Sequence, residues 1–235
     1  MTEQSEPVSR ETFSAEQSRR ELLSAIPDGD DSTPLARQLA RDTRRRIALR
    51  GSRFPAPART RVITVANQKG GVGKTTTAVN LGAALAQSGL QVLVVDADPQ
   101  GNASTALGVP HHAGVPSVYD VLVEGAPLAE VTQPCEAVPG IRCAPATIDL
   151  SGAEIELVDL PERERRLRRA FDEYLATADR RGEAPPDYVL VDCPPSLGLL
   201  TVNAFVAGRE VLIPIQCEYY ALEGLSQLVR NIELI

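Results

Sequence analysis

A glycine-rich turn follows the first strongly apolar segment of the chain and constrains the fold more than any other feature. Residues 62–66 are short, apolar and rich in β-branched side chains, which predicts a buried strand. The turn, residues 69–76, comes next. Residues 75–87 then carry apolar side chains at helical spacing, with Gly89 placed to end the helix. A strand, a glycine-rich turn and a helix in this order predict a phosphate-binding loop (P-loop).

The residue types in the turn suit the binding of a nucleoside triphosphate. Glycines remove side chains, so that successive main-chain N–H groups can converge on phosphate oxygens, and the helix start adds a positive dipole end. We expect Lys74 to reach the β- and γ-phosphates of ATP and the Thr75 hydroxyl to ligate Mg²⁺. The expected ATP-binding residues of the turn are Lys69, Gly70, Gly71, Val72, Gly73, Lys74, Thr75 and Thr76.

The turn departs from the common pattern Gly-x-x-x-x-Gly-Lys-[Ser/Thr]. Gln68 stands where the first glycine would be, and a second lysine, Lys69, precedes the double glycine. Lys69 and Lys74 are the only lysines in the chain. A compact ammonium group on a flexible stem suits a phosphate better than the planar fork of arginine. The alternative, a glycine-rich turn with two incidental lysines, does not explain this distribution.

Acidic residues follow two further apolar segments. Residues 91–96 and 188–192 read as buried strands that end in Asp96 and Asp192, and Asp98 follows Asp96 closely. Ligands bind at the carboxyl edge of such sheets, so Asp192 is expected to hold Mg²⁺ through water. Either Asp96 or Asp98 is expected to orient the attacking water or to touch the metal. The alternative for Asp192 is an aspartate that only caps a turn.

Composition and segment order predict the fold class. The chain is 43% apolar but only 4% aromatic, so its core must be aliphatic. Strands alternate with helices, which predicts an α/β fold with a mostly parallel twisted sheet and helices on both faces. The further predicted segments are strands at 141–144 and 211–215, helices at 118–123 and 157–178, and a helix that begins near residue 220.

The lack of a recognisable targeting signal and the spacing of the cysteines predict a cytoplasmic location. No apolar run approaches the ~20 residues of a membrane helix, and the N-terminus is polar and acidic, unlike a secretory signal. The four cysteines include no Cys-x-x-Cys pair, which favours reduced thiols over disulfides or a metal site. The two histidines, His111 and His112, lie in a segment typical of a solvated loop tip.

Charge divides the chain unevenly and predicts its domain organisation. Residues 1–61 carry a net charge of +3 and residues 62–235 a net charge of −10. We expect residues 1–34 to be an acidic disordered tail, residues 35–61 an Arg-rich, partly helical arm, and residues 62–235 a P-loop ATPase domain truncated at its C-terminal end. The arm is either a DNA-binding or partner-binding segment, with Arg44, Arg45 and Arg46 as candidates, or a solvated linker.

Taken together, these motifs resemble the ParA/Soj chromosome- and plasmid-partitioning ATPases of the MinD-like deviant Walker superfamily. The matching stretches are residues 67–77, 96–102, 144–150, 192–198 and 214–224. They run over almost all of residues 62–231. The resemblance implies a P-loop NTPase fold of the SIMIBI, MinD-like kind and slow ATP hydrolysis with Mg²⁺ as cofactor.

The resemblance also implies roles for individual residues. Lys69 looks like the signature lysine that crosses a dimer interface to the partner's nucleotide. Asp98 looks like the residue that positions the hydrolytic water, so the expected catalytic residues are Lys69, Lys74 and Asp98. Pro214 and Gln216 fall where the family's adenine pocket begins. The expected metal site comprises Thr75, Asp98 and Asp192.

The partners implied by the resemblance are a second copy of the chain, DNA and ParB. Family members dimerise with ATP, bind DNA without sequence preference, are released by ParB-stimulated hydrolysis and associate with the nucleoid, not with membranes. The family's main DNA-contacting residues fall beyond residue 235. DNA binding by this chain and completion of its adenine pocket are therefore open.

Three other functions fit parts of the sequence. A MinD-like membrane-cycling regulator would need a C-terminal amphipathic helix, which the chain does not show. An iron–sulfur carrier could use Cys193 and Cys217, but these lack the paired spacing of cluster ligands. A non-enzymatic scaffold would bind ATP and barely hydrolyse it. Only an assay of ATP hydrolysis with and without ParB and DNA would distinguish it from a partitioning ATPase.

Overall fold

The computed structural model describes residues 33–49, 52–216 and 221–235. The chain divides into two compact units between Ser52 and Arg53. In the first unit, helix α1 (Pro34–Leu49) is preceded by Thr33, whose hydroxyl accepts a hydrogen bond of 3.2 Å from the Ala36 N–H. The predicted acidic tail lies, apart from its last two residues, outside the described residues. The domain boundaries given above remain predictions.

The second unit is an α/β domain. Its strands are β1 (Arg61–Val65), β2 (Val92–Asp96), β3 (Gln133–Pro134), β4 (Ile141–Ala144), β5 (Tyr188–Asp192) and β6 (Glu210–Leu212). Its α-helices are α2 (Lys74–Gln87), α3 (Asn102–Ala106), α4 (Leu128–Val131), α5 (Leu150–Glu156), α6 (Arg166–Ala176), α7 (Leu199–Ala207) and α8 (Ala221–Glu233). A π-helical turn (Asp120–Glu124) and two 3₁₀ turns (Leu157–Asp159 and Asp179–Arg181) complete the described elements.

The described strands form one sheet in the order β3-β4-β2-β5-β1-β6. Every neighbouring pair is parallel except β3 with β4. Strand β2 shows why both faces are covered: Val92 and Val94 pack into one apolar core, whereas Leu93 and Val95 pack into another. The predicted mostly parallel sheet with helices on both faces is therefore confirmed.

The segment after α5 differs from the prediction. The prediction of one long helix over residues 157–178 is wrong. The chain makes a 3₁₀ turn at Leu157–Asp159, and α6 begins only at Arg166. Pro161 lies between them and has no N–H to continue a helix. Helix α5 itself was not predicted.

The last predicted strand is shorter than expected. It was placed at residues 211–215, but β6 ends at Leu212. Pro214 has no N–H for a ladder hydrogen bond, and its carbonyl accepts one from the Asn67 side chain instead. The chain therefore turns out of the sheet here, toward the loop that follows β1.

Candidate nucleotide site

Three central strands end side by side. Val65 at the end of β1 is paired with Asp192 on β5, which is paired with Asp96 on β2. The loop after β1 and the two carboxylates therefore meet at the carboxyl edge of the sheet, where open α/β sheets bind ligands.

The glycine-rich turn is folded as a cradle with an open inner side. Gly71 and Gly73 have φ of 74° and 92°, a left-handed conformation that glycine adopts without strain. A Cβ built on Gly70, Gly71 or Gly73 would meet no atom within 4 Å. Lys74 opens helix α2 and is only 7% exposed, and its ammonium group donates to the Lys69 carbonyl at 3.3 Å.

Asn67 ties the turn to the segment after β6. Its side-chain oxygen accepts from the Lys69 N–H at 3.0 Å, and its amide nitrogen donates to the Pro214 carbonyl at 2.8 Å. The Gln216 amide donates to the Gly71 carbonyl at 3.2 Å. The two residues expected to begin an adenine pocket, Pro214 and Gln216, therefore lie against the P-loop. Asn67 was not assigned a role from the sequence.

Asp192 is the most electrostatically unusual group of the edge. It is fully buried, and neither carboxylate oxygen has a hydrogen-bond partner of normal geometry among the described residues. Burial, with smaller contributions from nearby Asp96 and Asp98, raises the pKa of Asp192 to about 7. The Thr75 hydroxyl and the Lys74 ammonium group lower the pKa but do not cancel the effect of burial.

The structure distinguishes the two acids at the end of β2 by their hydrogen bonds. Asp96 is fully engaged: one oxygen accepts from the Ser104 hydroxyl at 2.7 Å and the Ser104 N–H at 2.8 Å, and the other from the Asp98 N–H at 3.3 Å. Burial nevertheless raises the pKa of Asp96 to about 6. Asp98 is 7% exposed and accepts from the Gln100 N–H at 3.0 Å through one oxygen. Asp98 is thus the acid left to act toward a ligand.

The edge fits a magnesium–nucleotide complex. Two buried carboxylate oxygens without hydrogen-bond partners would be costly unless a cation or its water covers them. The facing cradle offers main-chain N–H groups and a lysine to an anion. Within the described residues, no group of three or more His, Cys, Asp and Glu side chains could hold a metal ion.

Comparison with known proteins places this geometry in a family. The AAA_31 family model, described as an AAA domain, matches residues 60–235. The chain belongs to this family. It is 52% identical over 175 residues to the chromosome partitioning protein ParA of Caulobacter vibrioides (strain NA1000 / CB15N), covering 74% of this chain and 63% of the relative. It is 51% identical to the sporulation initiation inhibitor protein Soj of Bacillus subtilis (strain 168), covering 74% and 66% respectively. The predicted ParA/Soj resemblance is confirmed.

A solved structure supports the nucleotide interpretation. It is named cobyrinic acid a,c-diamide synthase from Mycobacterium smegmatis and contains an ATP analog and magnesium. It superposes with a TM-score of 0.66 at 42% identity, over 74% of this chain and 68% of that one. The chain spans somewhat under two thirds, 63%, of the length of the Caulobacter relative.

The remaining predicted residues lie elsewhere. Arg44 and Arg45 are exposed on α1, which also carries Arg46. Cys193 is free and fully buried, and Cys217 lies outside the described residues. In the part of the chain that the structure describes, no helix is both long and apolar enough to cross a membrane.

Proposed function

We propose that this chain is the ATPase of a DNA-partitioning system. It binds ATP with Mg²⁺, forms a dimer with ATP sandwiched between two copies, and binds DNA without sequence preference. A ParB-type protein stimulates hydrolysis and releases the dimer from DNA. The relatives named ParA and Soj support this proposal, as do the ATP analog and magnesium bound in the Mycobacterium structure.

The observation that carries the proposal is the pairing of a buried, unpartnered Asp192 with an open P-loop. A protein stabilised only by its own contacts gains nothing from an ionisable group kept in that state. The cost of burying this carboxylate is offset when a cation binds together with an anion, which is expected of a residue in a binding site.

Each residue of the edge then has a role that its position allows. Main-chain N–H groups of residues 70–76 and the ammonium group of Lys74 hold the phosphates. Thr75 and Asp192 hold Mg²⁺, which when bound neutralises developing charge on the phosphates. Asp98, through the oxygen not taken by the Gln100 N–H, orients the attacking water.

Lys69 is the residue that makes the cycle depend on a second copy. Unlike Lys74, it is exposed at the rim of the turn. Two facing nucleotides would repel each other, and a lysine entering from each partner offsets that repulsion in a partly dry interface. Hydrolysis removes the γ-phosphate that this lysine contacts, so the dimer is favoured before hydrolysis and disfavoured after it.

DNA binding is assigned to the exposed arginines of α1. Arg37, Arg41, Arg44 and Arg45 are exposed on α1. Arginines that contact phosphates hold DNA without reading its sequence, and their contribution is sensitive to salt.

Sizing of the full chain with ATP and Mg²⁺ tests the core of the proposal. Wild type is expected to shift to the mass of a dimer, whereas Lys69→Ala binds ATP but stays monomeric. Lys69→Arg is the matched control for charge, and Lys74→Ala is the control that loses nucleotide binding itself. ATP binding is followed separately with a fluorescent ATP analogue.

Two results would contradict the proposal. One is a wild-type chain that binds no ATP, and the other is a Lys69→Ala chain that dimerises like wild type. The name of the Mycobacterium structure supplies a competing activity. ATP turnover that required cobyrinic acid and ignored DNA and a ParB-type protein would favour that activity instead.

A further inference from the structure

Three large apolar side chains are exposed on one side of the segment that contains α5. Ile148, Ile155 and Val158 are 65%, 78% and 50% exposed. Their spacing of seven and three residues places them along one face of a helical path. The opposite side of the segment is buried through Leu150, Ala153 and Leu157. We call the three exposed residues the α5 stripe.

Each residue of the α5 stripe is followed directly by an acid. Asp149, Glu156 and Asp159 are exposed beside Ile148, Ile155 and Val158 respectively. Asp149 accepts from the Thr147 hydroxyl and Glu156 from the Tyr119 hydroxyl, which are uncharged donors. Among the described residues, none of the three acids forms an ion pair with a lysine or arginine. No basic residue occurs between Arg142 and Arg163.

The same segment contacts the loop that follows Asp192. The Glu154 carboxylate occupies the position that a Cβ on Gly198 would take, and its Oε1 is buried without a hydrogen-bond partner. Gly198 precedes α7 and ends the loop that begins directly after Asp192. Glu154 therefore rests on the loop that connects the magnesium-site acid to α7.

A second contact links the segment to the neighbouring acid. The Ala146 N–H donates to the Ser104 hydroxyl at 3.2 Å, and that hydroxyl donates to Asp96 at 2.7 Å. The approach to α5 is therefore tied to the end of β2, just as Glu154 is tied to the loop after β5. A ligand that displaces this segment would disturb both strand ends.

We propose that the α5 stripe is a docking surface for a basic amphipathic helix of a partner protein, which acts through Glu154 on the loop after Asp192. The apolar face of such a helix would cover the stripe, and its arginines or lysines would pair with the three acids. DNA does not fit, because its phosphates would meet carboxylates. A second copy docked through the same face would place acids against acids. The regulatory part of this inference rests on the proposed function.

Binding of a defined peptide to the full chain tests the docking surface. The probe is a fluorescent synthetic helix of about 15 residues, built from leucine, alanine and arginine with leucines on one face. Its control peptide replaces every arginine with glutamate. We expect Ile155→Ser to weaken binding of the arginine peptide by about tenfold or more. Asp159→Lys should slow association and reduce the salt dependence of binding.

Matched substitutions outside the α5 stripe distinguish specific binding of the peptide from non-specific binding. Val229→Ser removes an exposed apolar side chain of α8, and Glu136→Lys reverses an exposed charge in the β3–β4 segment. Both should bind the arginine peptide like wild type. The melting temperature of Ile155→Ser should match that of wild type, because this side chain is mostly exposed.

Hydrogen exchange in residues 196–202 tests the coupling without measuring activity. The arginine peptide should change exchange there in wild type but not in Glu154→Ala, although both bind the peptide. Equal binding by Ile155→Ser and its controls, or equal binding of the glutamate peptide, would overturn the docking surface. A change in ATP-dependent dimer mass in Ile155→Ser would reassign the stripe to self-association.

The test also separates this inference from the proposed function. Peptide binding is measured without nucleotide, so it can depend on Ile155 even if the chain fails to bind ATP. In that case the docking surface stands and the partitioning function fails. Conversely, a chain that dimerises with ATP but binds the peptide independently of Ile155 retains the function and loses the docking surface.

Discussion

Replacing Asp192 with asparagine should stabilise the free protein at neutral and alkaline pH. The pKa of this carboxyl is raised to about 7 in the folded state, from an ordinary value of 3.8. Between these values the folded state binds more protons than the unfolded state, so stability falls as pH rises through this window. Above about pH 7 the full penalty for ionised Asp192 is present, roughly 4 kcal/mol at 1.36 kcal/mol per pKa unit.

Asparagine removes this penalty but adds one of its own. Its buried amide has no hydrogen-bond partner at the same place, which costs about 1–3 kcal/mol at all pH values. At about pH 5 the ionisation penalty is only roughly 1.6 kcal/mol, so Asp192→Asn and wild type should be similar in stability. By about pH 8 the variant should gain a further ~3 kcal/mol relative to wild type, or about 6–12 °C in melting temperature for a domain of this size.

Thermal unfolding of the nucleotide-free chain across this pH range measures the effect. Glu136→Gln, an exposed acid, serves as the control and should follow wild type at every pH. The same Asp192→Asn variant should lose most of the additional stabilisation that Mg²⁺ gives to the ATP-bound protein, because one cation-holding carboxylate is gone. A stability difference between Asp192→Asn and wild type that does not change with pH would refute this account of the site's electrostatics.

Three further predictions follow from particular contacts. Ser104→Ala removes the hydroxyl that holds down the pKa of Asp96, so it should destabilise the fold by about 1.5–3 kcal/mol above pH ~6 and by less below it, with the half-buried Ser88→Ala as control. Gly208→Ala should destabilise the domain by about 1–3 kcal/mol, because its Cβ would overlap the Thr64 hydroxyl, whereas Gly224→Ala has open space and should not. Replacing Arg44, Arg45 and Arg46 with alanine should make the slope of log affinity for DNA against log salt shallower by up to about 3, and Gln38→Ala in the same helix should leave it unchanged. An unchanged slope for the triple variant would remove these three arginines from the DNA contact.

The central strands could be predicted from the sequence because they are buried on both faces. Strand β5 matches its predicted bounds, because a parallel strand between two helical layers leaves an uninterrupted aliphatic run. Strand β4 also matches its predicted bounds, although Arg142 interrupts its apolar run. Strand β3 has two residues, one of them proline, and carries no such run. Helix α5 was hidden because Ile155 faces solvent, which breaks the apolar period that marks a buried helix face.

The sequence indicates those candidate-site residues that lie directly at a strand end. It does not indicate those whose role depends on a contact with a residue distant in sequence. Asp192 and the P-loop stand out by position alone. The choice between Asp96 and Asp98 depends on Ser104, eight residues further along, whose hydroxyl and N–H occupy Asp96. Asn67 acts on Pro214 across 147 residues, a contact that only the sheet order creates.

The placement of the two lysines also makes the loop chemically addressable. Apart from the N-terminal amine, Lys69 and Lys74 carry the only primary amines of the protein. Lys69 is exposed, whereas Lys74 is nearly enclosed by its own turn. An acylating reagent that attacks amines should therefore mark one internal position first. The rate of Lys69 acylation would then report how far a bound molecule covers this edge of the P-loop, with no label engineered into the chain.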